Sequence, residues 1–286
     1  MQFFSKSIPL FFLCALGCLS TPLQALEVWV SILPQKYFVE RVGGDSVSVE
    51  VLVRPGQSPE LYAPGAAQLA RLARAAAYVG IGVPVENKVI SRIEASMPGV
   101  RILQTGELVA GGHEHDAHGN CLHGDQDPHT WMDPVQMISA VERIRDLLSE
   151  LDPAQETFFA DNAALLIGEL RLLDTEIQGQ LAPYAGRAFY INHPSLGHFA
   201  ERYGLRQLSI EQAGSAPSAR RVVDLVKAAK AEQVGAIFTQ PEFGRTSATV
   251  LAKALGVEVV EINPLAEDYL VNMRKIAGSL ERSFTK

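Results

Sequence analysis

The sequence predicts an α/β protein of two similar lobes, each a parallel sheet flanked by helices, joined by one long backbone helix. Three observations predict it. Short β-branched runs alternate with longer amphipathic ones. The strand series stops after residue 103 and restarts at 187. Between the two series lies a long stretch with few helix breakers. Alternating β and α elements imply right-handed crossovers and parallel strands.

In the first series, 26–33, 46–53, 77–82 and 100–103 read as strands, and 35–43, 64–76 and 85–96 as helices. In the second, strands are expected near 187–191, 205–211, 235–239 and 257–262, and helices near 195–203, 217–233, 245–255 and 266–283. The joining helix starts at Asp152–Pro153, with Asp at the cap and Pro at the first helical position. From there to Leu181 the chain has no further Pro and only two Gly. A helix of roughly 29 residues would be a rod about 43 Å long. Such a rod is either a surface helix packed on one lobe or a strut between both, and the break in the strand series favours the strut. The organisation read from this is a leader over 1–25, a first lobe over 26–151, the linking helix over 152–182 and a second lobe over 183–286.

The leader rests on its own chemistry. Lys6 is the only charge before Glu27, and "IPLFFLCALGCL" has the length of a signal-peptide core, too short to anchor in a membrane. Leu23–Gln24–Ala25 offers small-residue cleavage chemistry, so a mature, exported chain would begin at Leu26. The alternative is a lipid anchor at Cys18 after "ALG", where Ala15 stands in place of the larger aliphatic usually preferred. No later segment is apolar for long enough to span a bilayer.

Beyond the leader, 24 basic residues face 32 acidic ones, a net charge of −8. That balance argues against nucleic acid and anionic membranes as partners and mildly favours cations. Of the cysteines only Cys121 remains, so no internal disulfide can form and the core must hold a fold expected to be monomeric. About 260 residues suffice for that.

The chain has seven histidines, and five fall in "GGHEHDAHGNCLHGDQDPHTWMDP", residues 111–134. Composition alone supports only weak metal binding there. In open parallel sheets, however, ligands bind outside the carboxyl ends of the strands. Glu60, His129, His193, Gln240, Glu242 and Asn263 all follow expected strands on that edge, facing a shared cleft. Each is ordinary by itself: an exposed Glu or a loop His is usually solvated. His129 stands out because "DPHTWMDP" sets it between two Asp-Pro turns beside Trp131, which hold a backbone rigidly. His198 reads as a packing residue or a support for a ligand, and Cys121 as a free loop thiol.

These residues resemble those of the periplasmic metal-binding proteins of zinc and manganese ABC uptake transporters, the cluster A-I solute-binding proteins, and most of all the ZnuA-like zinc group. The likeness is carried by "VLVRPGQSPELYAP" (51–64), "DPHTWMDP" (127–134), "YINHPSLGHFAERYGL" (190–205), "APSARRVVDLV" (216–226) and "INPLAEDYLVNMRKIA" (262–277). It implies two lobes on a backbone helix, a single divalent cation in the interlobe cleft, no catalysis, and delivery to a membrane permease of an ABC transporter. It makes His129 and His193 metal ligands, with His193 favouring Zn²⁺ over Mn²⁺, as imidazole chemistry also does. Two positions depart from the family pattern. Glu60 stands where a His is usual in "D-P-H-x-Y-E-P", and Asn263 where an Asp is common.

Glu can ligate zinc, so the expected set is Glu60, His129 and His193, with Glu242 or Asn263 as a fourth ligand or a support. Two His and one carboxylate also suit Fe²⁺, and the loss of one imidazole opens the site to Mn²⁺. His113, His115, His118 and His123, in the loop 111–124, read as an auxiliary metal-collecting segment, against a spacer without function. A surface adhesin or metal buffer on the same scaffold is a competing reading. A metallohydrolase is disfavoured by the lack of an H-E-x-x-H arrangement or a poised general base.

Overall fold

The computed structural model describes residues 25–106, 127–211 and 216–285. The leader through Gln24, Cys18, and the segment carrying His113, His115, His118, Cys121 and His123 lie outside the described residues. The first lobe runs β1 (Leu26–Val30), α1 (Leu33–Gly43), β2 (Val47–Val51), α2 (Ala66–Leu72), β3 (Ala77–Gly80), α3 (Glu86–Ser96) and β4 (Arg101–Gln104). Its strands pair in parallel in the order β2-β1-β3-β4. The second lobe repeats the plan with β5 (Ala188–Ile191), α6 (Gly197–Arg202), β6 (Arg206–Ser209), α7 (Ala219–Ala231), β7 (Ala236–Thr239), α8 (Thr246–Leu255), β8 (Glu258–Glu261) and α9 (Tyr269–Phe284). Its order, β6-β5-β7-β8, is the same permutation.

The predicted α/β class and each predicted strand are present, mostly trimmed at the ends. The run 26–33, for example, leaves the sheet after Val30, because Pro34 opens α1 in the first turn of that helix. Strand β3 is buried along its length, as a central strand covered on both faces must be.

Two features of the middle stretch differ from the sequence reading. Residues 136–151, left there without an element of their own, form helix α4 (Gln136–Leu151). Its buried residues Met137, Ala140, Val141, Ile144, Leu147 and Leu148 keep the three-to-four spacing of an amphipathic helix. The long helix begins at Pro153 as expected, but its first turn is 3₁₀, so the α-helical part, α5, spans Glu156–Leu181. Asp152 makes no side-chain cap; its N–H continues the α4 ladder to Leu148 O, and Pro153–Gln155 turn the chain as a short 3₁₀ segment. At 26 residues α5 is about 39 Å long.

Helix α5 packs against α1 and α4 on one side and α9 on the other. Arg41 of α1 pairs with Glu169 at 2.8 Å, Arg274 of α9 with Glu176 at 2.7 Å, and Arg202 of α6 with Asp174 at 2.6 Å. Half-exposed ion pairs contribute little stability, but these show that α5 is tied to both lobes. The stability comes from apolar burial: one hydrophobic cluster runs from Val28 through Leu166, Leu170 and Leu173 of α5 to Phe284. Phe38 of α1 and Tyr269 of α9 meet across the lobes, ring centroids 4.7 Å apart. A smaller cluster around Tyr190, Leu225 and Leu251 fills the outer face of the second sheet.

Candidate metal centre

Strand register builds one half of the site. In the second sheet Ile191 sits beside Ser209 on one side and Phe238 on the other. Two residues beyond each of these come His193, Glu211 and Gln240, which therefore stand side by side just past the carboxyl edge. Gln240 fixes the His193 backbone: its Oε1 accepts the His193 N–H at 3.3 Å, and its Nε2 donates to His193 O at 2.6 Å and to Ser195 Oγ. Phe243 stacks on the imidazole, centroids 4.4 Å apart. Glu211 Oε1 lies 2.5 Å from His193 Nδ1.

The first lobe supplies the facing half. His129 precedes a 3₁₀ turn, Thr130–Met132. Asp127 Oδ1 accepts both the His129 backbone N–H, at 3.0 Å, and its Nδ1–H, at 2.6 Å. Trp131 packs against the His129 ring and donates its indole N–H across the cleft to Pro264 O at 3.0 Å. His198, expected to be a support, is one: its Nε2 bonds Asp127 O at 2.9 Å, linking α6 to the His129 segment. Glu60 follows β2 in a turn where Ser58 Oγ accepts its backbone N–H.

The result is a convergence of three ligand atoms within 4.8 Å of one another, from Glu60, His129 and His193. His193 Nε2 is 3.1 Å from Glu60 Oε1 and 3.4 Å from His129 Nε2. Zinc bound tetrahedrally at 2.0–2.1 Å sets its ligand atoms about 3.3 Å apart, so the gap is the size of a small cation. Both imidazoles are almost fully buried, His129 at 4% and His193 at 3% exposure. In each, Nδ1 is engaged by a carboxylate, which turns Nε2 toward the cavity. Sequence reasoning missed Asp127 and Glu211 in this role.

Electrostatics separate the two histidines. Burial dominates at His129 and lowers its pKa, although Asp127 opposes the shift. At His193 burial also disfavours the proton, but Glu211 and Glu60 together overcome it and carry the pKa up to about 9. Without metal, His193 is thus an imidazolium held between two carboxylates. A dication that displaces its proton keeps those carboxylates compensated.

The two suggested fourth ligands separate. Glu242 lines the same cavity as Glu60, His129 and His193. Asn263 does not: its Oδ1 accepts the Leu265 N–H at 2.9 Å, and its backbone O accepts from Asn272 Nδ2. That turn presents Pro264 O to Trp131, so the Asn263 amide shapes the cleft wall and faces a neighbouring cavity.

Residues 28–283 match the family described as zinc-uptake complex component A, periplasmic (ZnuA). The chain belongs to the ZnuA family. This is a family of metal-binding solute-binding proteins and not one of enzymes. The zinc-binding lipoprotein AdcA of Streptococcus pneumoniae is 29% identical over 281 residues, covering 90% of this chain and 56% of AdcA. The chain therefore spans about half the length of the curated relatives it first matches. Among solved structures, a crystal structure of ZnuA superposes with a TM-score of 0.82 at 32% identity, covering 91% of this chain and 99% of that one. A zinc-bound deletion mutant of ZnuA gives 0.81 at 32% identity, covering 91% and 98%. Among the described residues, no helix is long and apolar enough to cross a membrane.

Proposed function

We propose that this protein is an exported solute-binding protein that captures Zn²⁺ with Glu60, His129 and His193 and hands it to an ABC permease. The observation that carries the reading is the pair of buried imidazoles, each braced by a carboxylate and both facing one carboxylate ligand across a gap of cation size. Two imidazoles and one carboxylate, with water as a fourth ligand, suit zinc. The relatives named above as zinc-binding point the same way. Because ligands come from both lobes and the lobes share one hydrophobic core, release is slow until the permease loosens the site. Glu60 in place of an imidazole favours one second reading, Mn²⁺ or Fe²⁺ as cargo, since both accept more oxygen in the shell.

Two measurements test this. The zinc-loaded protein should stimulate ATP hydrolysis by its permease in liposomes, and manganese-loaded protein should not; equal stimulation would pass the cargo to the second reading, and none would remove the transport role. Glu211→Gln should weaken zinc binding by about 10–100-fold, the usual cost of losing a carboxylate behind a ligating histidine. Unchanged affinity in a competitive titration would mean that Glu211 does not act through His193.

A further inference from the structure

The metal cavity is walled mainly by buried residues, among them Ser58, His129, Trp131, His193 and Gln240, so a cation needs a way in. A second cavity adjoins it between the lobes. Its rim, Arg54–Pro55–Gly56 on the first lobe, is exposed, and Asn263 and Leu265 form part of the opposite wall. Among the described residues, two line both cavities: Glu242 and Leu265. Leu265 offers a cation nothing, whereas Glu242 offers a carboxylate.

We propose that Glu242 is a transfer ligand: cations enter through the outer interlobe cavity, bind Glu242, and pass from it to Glu60, His129 and His193. The proposal rests on the reading of that trio as the metal site. Glu242 is suited to transfer rather than to permanent ligation because it lines the cavity without joining the three atoms that converge within 4.8 Å. It is only partly exposed, and burial raises its pKa, so a passing cation relieves the cost of keeping it charged. The neighbouring Phe243 stacks on His193, so the short turn after β7 holds the carboxylate next to the imidazole that receives the metal. Arg54 on the outer rim is the opposing charge on this route. A residue that lowers the barrier of a reversible path must speed passage in both directions, whereas a resident ligand slows only departure.

The test is stopped-flow zinc binding to the full mature chain, followed by the fluorescence of Trp131, which lines the cavity, with release measured by chelator challenge. Glu242→Gln should slow association and dissociation together by about tenfold, the low end of what a like-signed cleft does for on-rates, so that their ratio moves less than either rate. Arg54→Ala, at a residue that does not line the trio's own cavity, should speed association. Unaltered rates in both variants would overturn the proposal by placing the route elsewhere. An unaltered on-rate with a faster off-rate in Glu242→Gln would overturn it in favour of a resident fourth ligand. Failure of the wild-type protein to bind zinc at this cavity would instead overturn the reading beneath it.

Discussion

Replacing His193 by alanine is expected to weaken zinc binding by more than the roughly 10–100-fold typical for losing a supporting carboxylate. The replacement removes the second lobe's only contribution to the converging trio. It also strands Glu211, buried to 7% exposure and bonded to His193 Nδ1 at 2.5 Å, and removes the imidazole 3.1 Å from Glu60 Oε1. A buried carboxylate that loses its partner is costly, so the variant should also unfold at lower temperature without metal. His129→Ala should lose affinity comparably, and the double variant should retain no cleft zinc. Isothermal titration on each variant, with circular dichroism to confirm the fold, reads the effect. Zinc retained by the double variant would place the binding in the His-rich segment 111–124.

Zinc affinity should fall about tenfold for each pH unit lowered between roughly 9 and 7, because one proton competes with the metal for His193. The sign follows from the free protein: Glu211 and Glu60 raise the His193 pKa to about 9 against the opposing effect of burial, so below that pH the imidazole must give up a proton to ligate. His129, whose pKa burial lowers, stays neutral through the same range and adds no second proton. Titrations at neutral pH in buffers of different ionisation heat should show about one proton released per zinc. A pH-independent affinity would mean that His193 is already neutral when metal arrives. The same shift bears on the metal-free fold in the opposite sense. A raised folded-state pKa stabilises below the unfolded value near 6.5, and that contribution is lost as pH rises through about 9.

Much of this architecture was legible before any coordinates, and the reasons are local. Short apolar and β-branched runs such as Leu26–Val30 and Ala236–Thr239 are largely buried strands, and the helices between them keep their own spacing, so type and order could be read directly. The edge rule brought Glu60, His129 and His193 to one cleft, and the structure sets their ligand atoms together. Glu211 escaped because its partnership is non-local. It stands 18 residues from His193, and only the pairing of Ile191 with Ser209 makes them neighbours. Gln240 likewise becomes a clamp only once Ile191 is known to sit beside Phe238. Asp127 was within reach of sequence reasoning, two residues before His129 in an Asp-Pro turn whose side chain can bond the backbone ahead. The Asp-Pro pair marked where the long helix begins, but a sequence signal of this kind does not say that the first turn is 3₁₀ or that α4 runs directly into it.

The most direct test of the central claim is a zinc anomalous difference map from crystals of residues 26–286 grown with one equivalent of zinc. A single peak is expected about 2.0–2.2 Å from His129 Nε2, His193 Nε2 and a Glu60 carboxylate oxygen. A peak outside the cleft, or one in the cleft that Glu60 does not reach, would contradict the account.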